Sequence, residues 1–200
     1  MTRFIIFRHG QTDWNLERRV QGRNDIALNK KGRSQARLLA ERLRNETIDA
    51  IYSSPLSRAL DTAKTVADKH GKQVLILDSL IEMSFGSLEG KTKAERVALL
   101  PNFDVTNDKD RASVSMETFG EVVPFLQKDI IPMLIKNHGN QTIVLSTHDQ
   151  KMRAILIALG MSEDIKAELL KNCAVTIVEK NNDQLDIICH NDASHVEGLL

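Results

Sequence analysis

Hydrophobic residues follow two patterns along the chain, and the first is a set of short apolar or β-branched runs. Polar residues or glycine bound most of these runs, which is typical of β-strands. The six predicted strands are residues 3–7, 50–53, 73–77, 142–147, 174–179 and 185–189.

The second pattern is a helical spacing of apolar residues between the strands. It places two sets of residues on single helix faces: Ala36, Leu39, Ala40 and Leu43 in one helix, and Ala59, Ala63, Val66 and Ala67 in another. We expect the Ser54 hydroxyl to cap the second helix and Pro55 to occupy its first turn. Further helices are predicted near residues 92–100, 116–136, 150–159 and 162–170. Pro124 and Pro132 are expected to break or kink the helix near 116–136.

Strands and helices alternate along the chain, which predicts an α/β sandwich with a largely parallel sheet. The 200 residues, 42% hydrophobic and 27% charged, fit one domain that spans residues 1–200. The polar, turn-like segment 104–115 is predicted to be a mobile surface loop. It is not expected to be a linker, because the periodic segments on both sides need each other to form a core.

Charge and hydropathy exclude several function classes. Lys plus Arg and Asp plus Glu each total 27, so the formal net charge is zero. This argues against a dedicated nucleic-acid or membrane-surface binder, and an anionic ligand must be met by a local cluster of cations. The longest clean apolar run, residues 154–159, is far shorter than the roughly 18 residues that span a bilayer. Cys173 and Cys189 lack metal-ligand spacing and are predicted to be buried thiols.

We therefore expect a cytoplasmic protein with no signal peptide, no metal site and no nucleic-acid or membrane partner.

The candidate chemistry begins where the first strand ends, in the sequence Arg8-His9-Gly10-Gln11-Thr12. Open α/β sheets bind ligands at the carboxyl ends of their strands, and a glycine at position 10 allows the backbone to turn sharply there. The companion segments are Asn15, Gln21-Gly22, residues 53–59 (SSPLSRA), residues 82–90 (EMSFGSLEG) and Ser146-Thr147-His148 at another strand end.

In this order and spacing, from residue 3 to beyond residue 150, the motifs resemble the first branch of the histidine phosphatase superfamily, also called phosphoglycerate mutase-like. Residues 85–90 resemble the broad-specificity and α-ribazole phosphatases within it. The resemblance implies a three-layer α/β/α sandwich, a mostly parallel sheet and a site at the carboxyl edge of that sheet. It also implies that His9 is the nucleophile, which is transiently phosphorylated, and that Glu82 is the general acid. The phosphate pocket implied by the resemblance consists of Arg8, Asn15, Gln21, Arg58 and His148.

These roles have physical reasons. A phosphomonoester carries about one to two negative charges near neutral pH, so two guanidiniums and an imidazolium can clamp it without a metal or another cofactor. His9 has to attack as a neutral imidazole, and we expect a backbone carbonyl to hold its other ring nitrogen. Glu82 can protonate the leaving alkoxide only if burial raises its pKa. Glu82 can then act as the base for the attacking water.

One position departs from the family pattern. The family usually has glycine after its second histidine, and this chain has Asp149. One interpretation is that Asp149 caps the helix that begins near Gln150. A second is that it replaces or assists Glu82 as proton donor, as the His-Asp pair does in the acid-phosphatase branch. A third is an impaired site.

Phosphohistidine chemistry ends either in transfer to water, by a phosphatase, or in transfer back to a bound hydroxy acid, by a mutase. Cofactor-dependent phosphoglycerate mutases are typically longer and have a basic insertion after the Glu82 loop. Here residues 91–113 lack the paired arginines and the tyrosine expected in mutases.

The sequence therefore favours a phosphatase acting on small phosphomonoesters. A cofactor-dependent mutase and a non-catalytic phosphate-binding member remain as alternatives. Leaving-group contacts are expected from residues 102–119 and from Gln11, Asp13 and Trp14. The resemblance is compatible with a homodimer, but the sequence places no dimer interface.

Overall fold

The computed structural model describes residues 1–181 and 184–199. The strands are β1 (Thr2–Arg8), β2 (Ala50–Ser53), β3 (Val74–Ile76), β4 (Thr142–Thr147), β5 (Val175–Asn181) and β6 (Gln184–Asp192). The α-helices are α1 (Asp13–Leu16), α2 (Lys30–Leu43), α3 (Ser57–His70), α4 (Lys93–Leu99), α5 (Asp108–Ser113), α6 (Phe119–Phe125), α7 (Ile131–Asn137) and α8 (Asp149–Leu159). Short 3-10 helices cover Asp78–Leu80, Gly86–Leu88, Glu163–Ala167 and Ser194–Leu199.

All six predicted strands are present. The domain predicted over residues 1–200 also includes residues 182, 183 and 200, which lie outside the described residues.

The strands form one sheet in the order β3-β2-β4-β1-β5-β6. Strands β3, β2, β4 and β1 run parallel, whereas β5 pairs antiparallel with both β1 and β6. The predicted α/β architecture with a mostly parallel sheet is therefore confirmed. Since β1 and β4 are parallel and in register from Arg3 to Arg8, the residues that follow them emerge at the same edge of the sheet.

Hydrophobic cores cover both faces of the sheet, which makes three layers. Along β1, Phe4 and Ile6 point to one face and Ile5 and Phe7 to the other, as expected for a strand. The first face packs against α6, α7 and α8, and the second against α2 and α3. All four side chains are fully buried. Each such side chain contributes about 1.5–3 kcal/mol through the hydrophobic effect.

Helix α3 begins differently from the prediction. It starts at Ser57, after Pro55, and the Ser54 hydroxyl does not cap it. Instead, the carboxylate of Asp25 accepts hydrogen bonds from the Ser57 backbone N–H and hydroxyl, both at 2.8 Å. The cap comes from a residue far away in the sequence, so the local motif could not reveal it.

The prediction of a mobile loop over residues 104–115 is wrong. Residues Asp108–Ser113 form α5, and Arg111 at its centre is fully buried. The Arg111 guanidinium donates to the carbonyls of Val105 at 3.0 Å and Glu117 at 2.6 Å, and it lies 4.8 Å from the ring centroid of Phe119. These contacts anchor the segment to the body of the protein.

The helix predicted near residues 116–136 is interrupted, as its two prolines suggested. A π-helical turn over Leu126–Ile130 separates α6 from α7 and lies between Pro124 and Pro132. Proline has no amide hydrogen and cannot donate the i to i−4 hydrogen bond of an α-helix, which accounts for the π-helical turn. The helix predicted near residues 162–170 is a short 3-10 helix.

Of the two cysteines, neither of which forms a disulfide, Cys173 is fully buried and Cys189 is only partly buried. Burial raises the pKa of the Cys173 thiol. The prediction of buried thiols is therefore confirmed for Cys173, whereas the Cys189 thiol is only partly buried. Within residues 1–181 and 184–199, no helix combines the length and the apolar character that crossing a bilayer requires.

Candidate active site

Side chains from three neighbouring strand ends meet at one edge of the sheet. His9 follows β1, His148 follows β4, and Arg58 lies in the first turn of α3, which comes after β2. The rings of the two histidines have centroids 5.2 Å apart and are tilted by 59°. The parallel pairing of these strands brings together residues that are distant in sequence.

His9 is held in one orientation by the backbone. The side chain is 2% exposed, and its Nδ1 lies 2.7 Å from the Gly10 carbonyl oxygen. A carbonyl oxygen only accepts, so Nδ1 carries the hydrogen and Nε2 keeps its lone pair in the neutral ring. Burial, with the nearby charges of Arg58 and Arg8, holds the pKa of His9 well below its usual value. The predicted backbone contact is confirmed, and the ring is neutral at pH 7.

His148 lies beside His9. It is fully buried, and its Nε2 lies 2.8 Å from the Ser54 hydroxyl. Its Nδ1 has no hydrogen-bond partner among the described residues. Burial and the charge of Arg58 lower the pKa of His148 well below its usual value. His148 is therefore neutral at pH 7, whereas the sequence suggested an imidazolium.

Most of the predicted site residues surround one cavity of about 130 Å³, which we call the central cavity. It is lined by Arg8, His9, Asn15, Arg19, Val20, Gln21, Gly22, Arg58, Glu82, Phe85 and Asp149. Of the catalytic and phosphate-binding residues predicted for the site, His148 alone is absent from this lining. The predicted leaving-group contacts are absent from it too: residues 102–119, Gln11, Asp13 and Trp14 do not line the central cavity.

Two arginines bring positive charge to the central cavity. Arg58 is 1% exposed and donates to the carbonyls of Asn24 at 2.7 Å and Gly22 at 2.8 Å. Burial lowers its pKa to about 10, so it stays charged at neutral pH. Arg8 donates to the Leu170 carbonyl. In the described part of the chain, the Nε atoms of both arginines are buried without a partner. Both arginines line the central cavity, so their guanidiniums supply positive charge where an anion would bind.

Gly22 has a conformational reason to be glycine. Its φ of +54° lies in the left-handed region, and a Cβ there would come within 2.1 Å of the Glu89 carboxylate. That carboxylate accepts from the Phe85 backbone N–H at 3.0 Å and from the Asn24 side chain at 2.9 Å. Glu89 therefore ties the 82–90 loop to the loop that orients Arg58.

Thr12 orients the two amide side chains of the site. Its backbone N–H donates to the Asn15 side-chain oxygen at 3.1 Å, which leaves its single hydroxyl hydrogen to donate to the Gln21 side-chain oxygen at 3.0 Å. Both amide oxygens are thereby occupied, so each side chain presents its NH₂ group as the free donor. The sequence indicated Asn15 and Gln21 but not the orienting role of Thr12.

Glu82 is buried against the first turn of α8. One carboxylate oxygen accepts from the backbone N–H groups of Met83 at 2.9 Å and Lys151 at 3.0 Å. The other accepts only a long bond, 3.4 Å, from the Gln150 N–H. Burial, followed by the negative charge of Asp149, raises the pKa of Glu82 above its usual value. A raised pKa keeps more of the carboxyl group protonated near neutral pH, as a proton donor requires.

Asp149 is the first residue of α8, so the prediction that it caps this helix is wrong. Its two carboxylate oxygens accept from the Arg153 guanidinium at 2.9 and 2.8 Å. Arg153 also donates to the Lys166 carbonyl at 2.6 Å, which fixes the pair. The ion pair offsets the negative charge that Asp149 brings to the wall of the central cavity.

Residues 1–181 and 184–199 contain no group of three or more His, Cys, Asp or Glu side chains that could hold a metal ion.

Residues 4–193 match the family model of the histidine phosphatase superfamily (branch 1). The metal-independent phosphoserine phosphatase of Arabidopsis thaliana is 31% identical over 206 residues, which cover 100% of this chain and 85% of that protein. The solved structure of Bacillus stearothermophilus YhfR has a TM-score of 0.88 and 28% identity, covering 98% of this chain and 100% of that one. A mycobacterial glucosyl-3-phosphoglycerate phosphatase complexed with VO3 has a TM-score of 0.84 and 26% identity, covering 94% and 98% of the two chains.

Proposed function

Since the chain belongs to the histidine phosphatase superfamily (branch 1), which includes metal-independent phosphatases, we propose how its own residues hydrolyse a small phosphomonoester. The observation that carries the proposal is His9, a buried neutral imidazole whose Nδ1–H is donated to Gly10. Its Nε2 lone pair is the nucleophile, and Arg8 and Arg58 supply the charge that binds the phosphoryl oxygens.

The reaction has two steps. In the first, Nε2 of His9 forms a bond to phosphorus while the bond to the leaving oxygen breaks, and Glu82 gives its proton to that oxygen. In the second, Glu82 takes a proton from water as the water oxygen attacks phosphorus. The phosphorus–nitrogen bond breaks, inorganic phosphate leaves, and both side chains return to their starting states.

The remaining predicted residues have supporting roles in this proposal. Asn15 and Gln21 donate their amide NH₂ groups to the phosphoryl oxygens. His148 lies beside the His9 ring. The charge of a bound phosphate dianion raises the pKa of His148, and the ring, once it has taken up a proton from solvent, is a further donor to the phosphoryl group. The names of the relatives suggest phosphoserine and phosphorylated glycerate derivatives as first substrates.

The test is release of inorganic phosphate from a panel of monoesters with EDTA present. The panel contains p-nitrophenyl phosphate, phosphoserine, 3-phosphoglycerate, fructose phosphates and α-ribazole phosphate. We expect hydrolysis of p-nitrophenyl phosphate and of at least one natural ester, with rates that EDTA leaves unchanged. Rates abolished by EDTA and restored by a divalent metal would contradict the proposal. Interconversion of phosphoglycerates that depends on added bisphosphoglycerate would indicate a mutase instead.

Asp149 gives a second prediction, about pH dependence. Glu82 acts as an acid, so turnover falls as pH rises through its pKa, and the Asp149 charge raises that pKa. Asp149→Asn removes the charge, and Arg153 loses its partner. Both effects lower the pKa of Glu82, so the falling limb of kcat against pH is expected to move to lower pH.

Asp68→Asn is the matched control, because Asp68 is an exposed residue of α3 and does not line the central cavity. The measurement is kcat against pH for both variants with an alkyl phosphate. A falling limb that stays in place in Asp149→Asn would assign that limb to a group other than Glu82.

A further inference from the structure

The peptide bond between Gly10 and Gln11 holds the ring of His9. Its carbonyl oxygen accepts from Nδ1 of His9 at 2.7 Å, and this bond leaves the lone pair on Nε2. Whatever fixes the plane of this peptide therefore also fixes the direction and the tautomer of the His9 ring. The other polar group of the same peptide is the Gln11 N–H.

Gln35 of α2 binds that N–H. Its side-chain oxygen Oε1 accepts from the Gln11 N–H at 2.9 Å, and the residue is 1% exposed. Its Nε2 lies 3.5 Å from the Leu199 carbonyl oxygen. The amide oxygen of Gln35 therefore faces a donor and its NH₂ group faces an acceptor, which favours one orientation of the side chain. The reaction proposed above makes no use of this buried polar group.

These hydrogen bonds form a continuous chain that ends at the nucleophile. Gln35 accepts from the Gln11 N–H, and the carbonyl of the same peptide accepts from Nδ1–H of His9. Hydrogen bonds in such a chain polarise one another, because an amide whose N–H is bonded has a more negative carbonyl oxygen. A more negative Gly10 oxygen attracts the Nδ1 hydrogen more strongly and leaves more electron density on Nε2.

Helix α2 also packs directly against this part of the backbone. A Cβ on Gly10 would lie 2.5 Å from the Gly32 carbonyl oxygen, so the two segments touch backbone to backbone. Gly32 and Gln35 are three residues apart and therefore lie on the same side of α2. The N–H of Asn29, which caps α2, donates to the Gln11 carbonyl at 3.0 Å. The start of α2 thus supplies both the close packing and the acceptor.

A hydroxyl of α3 holds the preceding peptide. The Gly10 N–H donates to Thr62 Oγ1 at 3.2 Å, and this hydroxyl donates to the Arg58 carbonyl at 2.7 Å. Thr62 therefore connects the nucleophile segment to the turn that carries Arg58. Within residues 1–181 and 184–199, the side chains that hydrogen-bond to the Gly10–Gln11 peptide itself are those of His9 and Gln35.

We propose that Gln35 is a positioning residue for the nucleophile, which fixes the Nδ1–H tautomer of His9 and increases the reactivity of Nε2 through the Gly10–Gln11 peptide. The inference rests on the proposed function, because it concerns the attack of His9 on phosphorus. Gln35 does not line the central cavity, so it acts on the chemical step and not on phosphate binding. A carboxylate orients the histidine of a serine-protease triad. A neutral amide gives the same orientation without a negative charge that would repel a phosphate.

Gln35→Met tests the proposal, because methionine has nearly the same length and lacks the amide oxygen. We expect the single-turnover rate constant for p-nitrophenolate release to fall by about 10- to 100-fold, the usual range for loss of an orienting partner. The affinity for inorganic phosphate, measured by its inhibition of the reaction, is expected to stay unchanged. Gln35→Asn, which withdraws the amide by one methylene, is expected to behave like Gln35→Met. Gln35→Glu keeps an oxygen that accepts from the Gln11 N–H and is expected to retain most of the wild-type rate.

Nitrogen-15 NMR of the His9 ring gives a readout that does not need turnover, and His9→Ala identifies its signals. At pH 7 the wild type is expected to carry the hydrogen on Nδ1, and Gln35→Met is expected to show a mixture of the two tautomers. The control is Leu39→Val, which removes one methylene from the same helix in the hydrophobic core. It is expected to lower the melting temperature while the single-turnover rate and the His9 tautomer stay as in the wild type.

The outcomes separate this inference from the proposed function. Wild-type rates and a single tautomer in Gln35→Met and Gln35→Asn would overturn the role of Gln35 and leave the phosphatase proposal intact. Losses of equal size in Gln35→Glu or in Leu39→Val would also overturn it, because they would reflect a general loosening of α2. A wild type that hydrolyses no ester would instead contradict the proposed function. The tautomer of His9 in Gln35→Met would even then support or overturn the role of Gln35.

Discussion

His9→Ala is expected to reduce phosphate release by about 10⁴-fold or more, the scale seen when a catalytic nucleophile is removed. The substitution deletes the Nε2 lone pair, and the two arginines remain to bind phosphate. We therefore expect inorganic phosphate to raise the melting temperature of the variant as it does that of the wild type. The measurements are kcat for p-nitrophenyl phosphate and thermal unfolding with and without phosphate.

A second readout of this variant tests the covalent intermediate directly. Acid-labile phosphate that withstands alkali is expected on the wild type after rapid quenching with labelled substrate, and not on His9→Ala. His70→Ala, at the end of α3, is the control for loss of a histidine outside the central cavity. Residual activity of more than about one per cent in His9→Ala would remove His9 from the role of nucleophile.

Glu82→Gln is expected to slow hydrolysis of alkyl phosphates by about 10²- to 10³-fold, within the range of general acid catalysis. Glutamine keeps an oxygen that accepts from the Met83 and Lys151 N–H groups, so the loop stays in position. The amide cannot give a proton to the leaving oxygen. An alkoxide needs that proton, whereas p-nitrophenolate is stable as an anion.

The loss on p-nitrophenyl phosphate is therefore expected to be much smaller than the loss on phosphoserine or glycerol 3-phosphate. Kinetics of both substrate types with Glu82→Gln provide the measurement, and Glu163→Gln, on an exposed 3-10 helix, is the control. Equal losses on both types would assign the acid to another group. Asp149, which lines the same cavity, would then be the next candidate.

The strands could be predicted from sequence because the signal for them is local. Alternation along residues 4–7 directs side chains to two cores, and both faces of the sheet are covered. The site at the edge of the sheet follows from the same signal, because parallel strands β1 and β4 must end side by side. His9, Arg58 and Glu82 were predicted for the site from sequence motifs, and all three line the central cavity.

Side-chain partners that the sequence pattern does not identify account for the errors. The 104–115 segment is polar and reads as a loop, but Arg111 is buried by carbonyls on both sides of it and by Gln150 at 3.2 Å. Aspartate is a common helix-capping residue, but the carboxylate of Asp149 is bound by Arg153, one turn later on the same helix. The sequence pattern gives the type of each residue but not the partner that its side chain binds.

The contact between Arg18 and Lys93 shows the same limit over a greater separation in sequence. Arg18 and Lys93 are 75 positions apart, and no sequence window includes both. Their approach depends on the bond between the Lys93 N–H and the Arg18 carbonyl. Composition indicated only that a local cluster of cations was necessary for an anionic ligand.

Arg8 and Arg58 also give a protein of zero formal net charge a local excess of positive charge at the opening of the central cavity. The carboxylate of Asp149 at this opening is paired with Arg153, so it does not cancel the charge of the two arginines. An anion approaching this opening is attracted before it makes contact, and the capture rate exceeds that of a uniformly neutral surface. Salt shortens the reach of this attraction to about 10 Å at 0.1 M ionic strength. Rising salt should therefore slow the encounter with substrate, seen in kcat/KM, while the chemical steps after binding proceed at an unchanged rate.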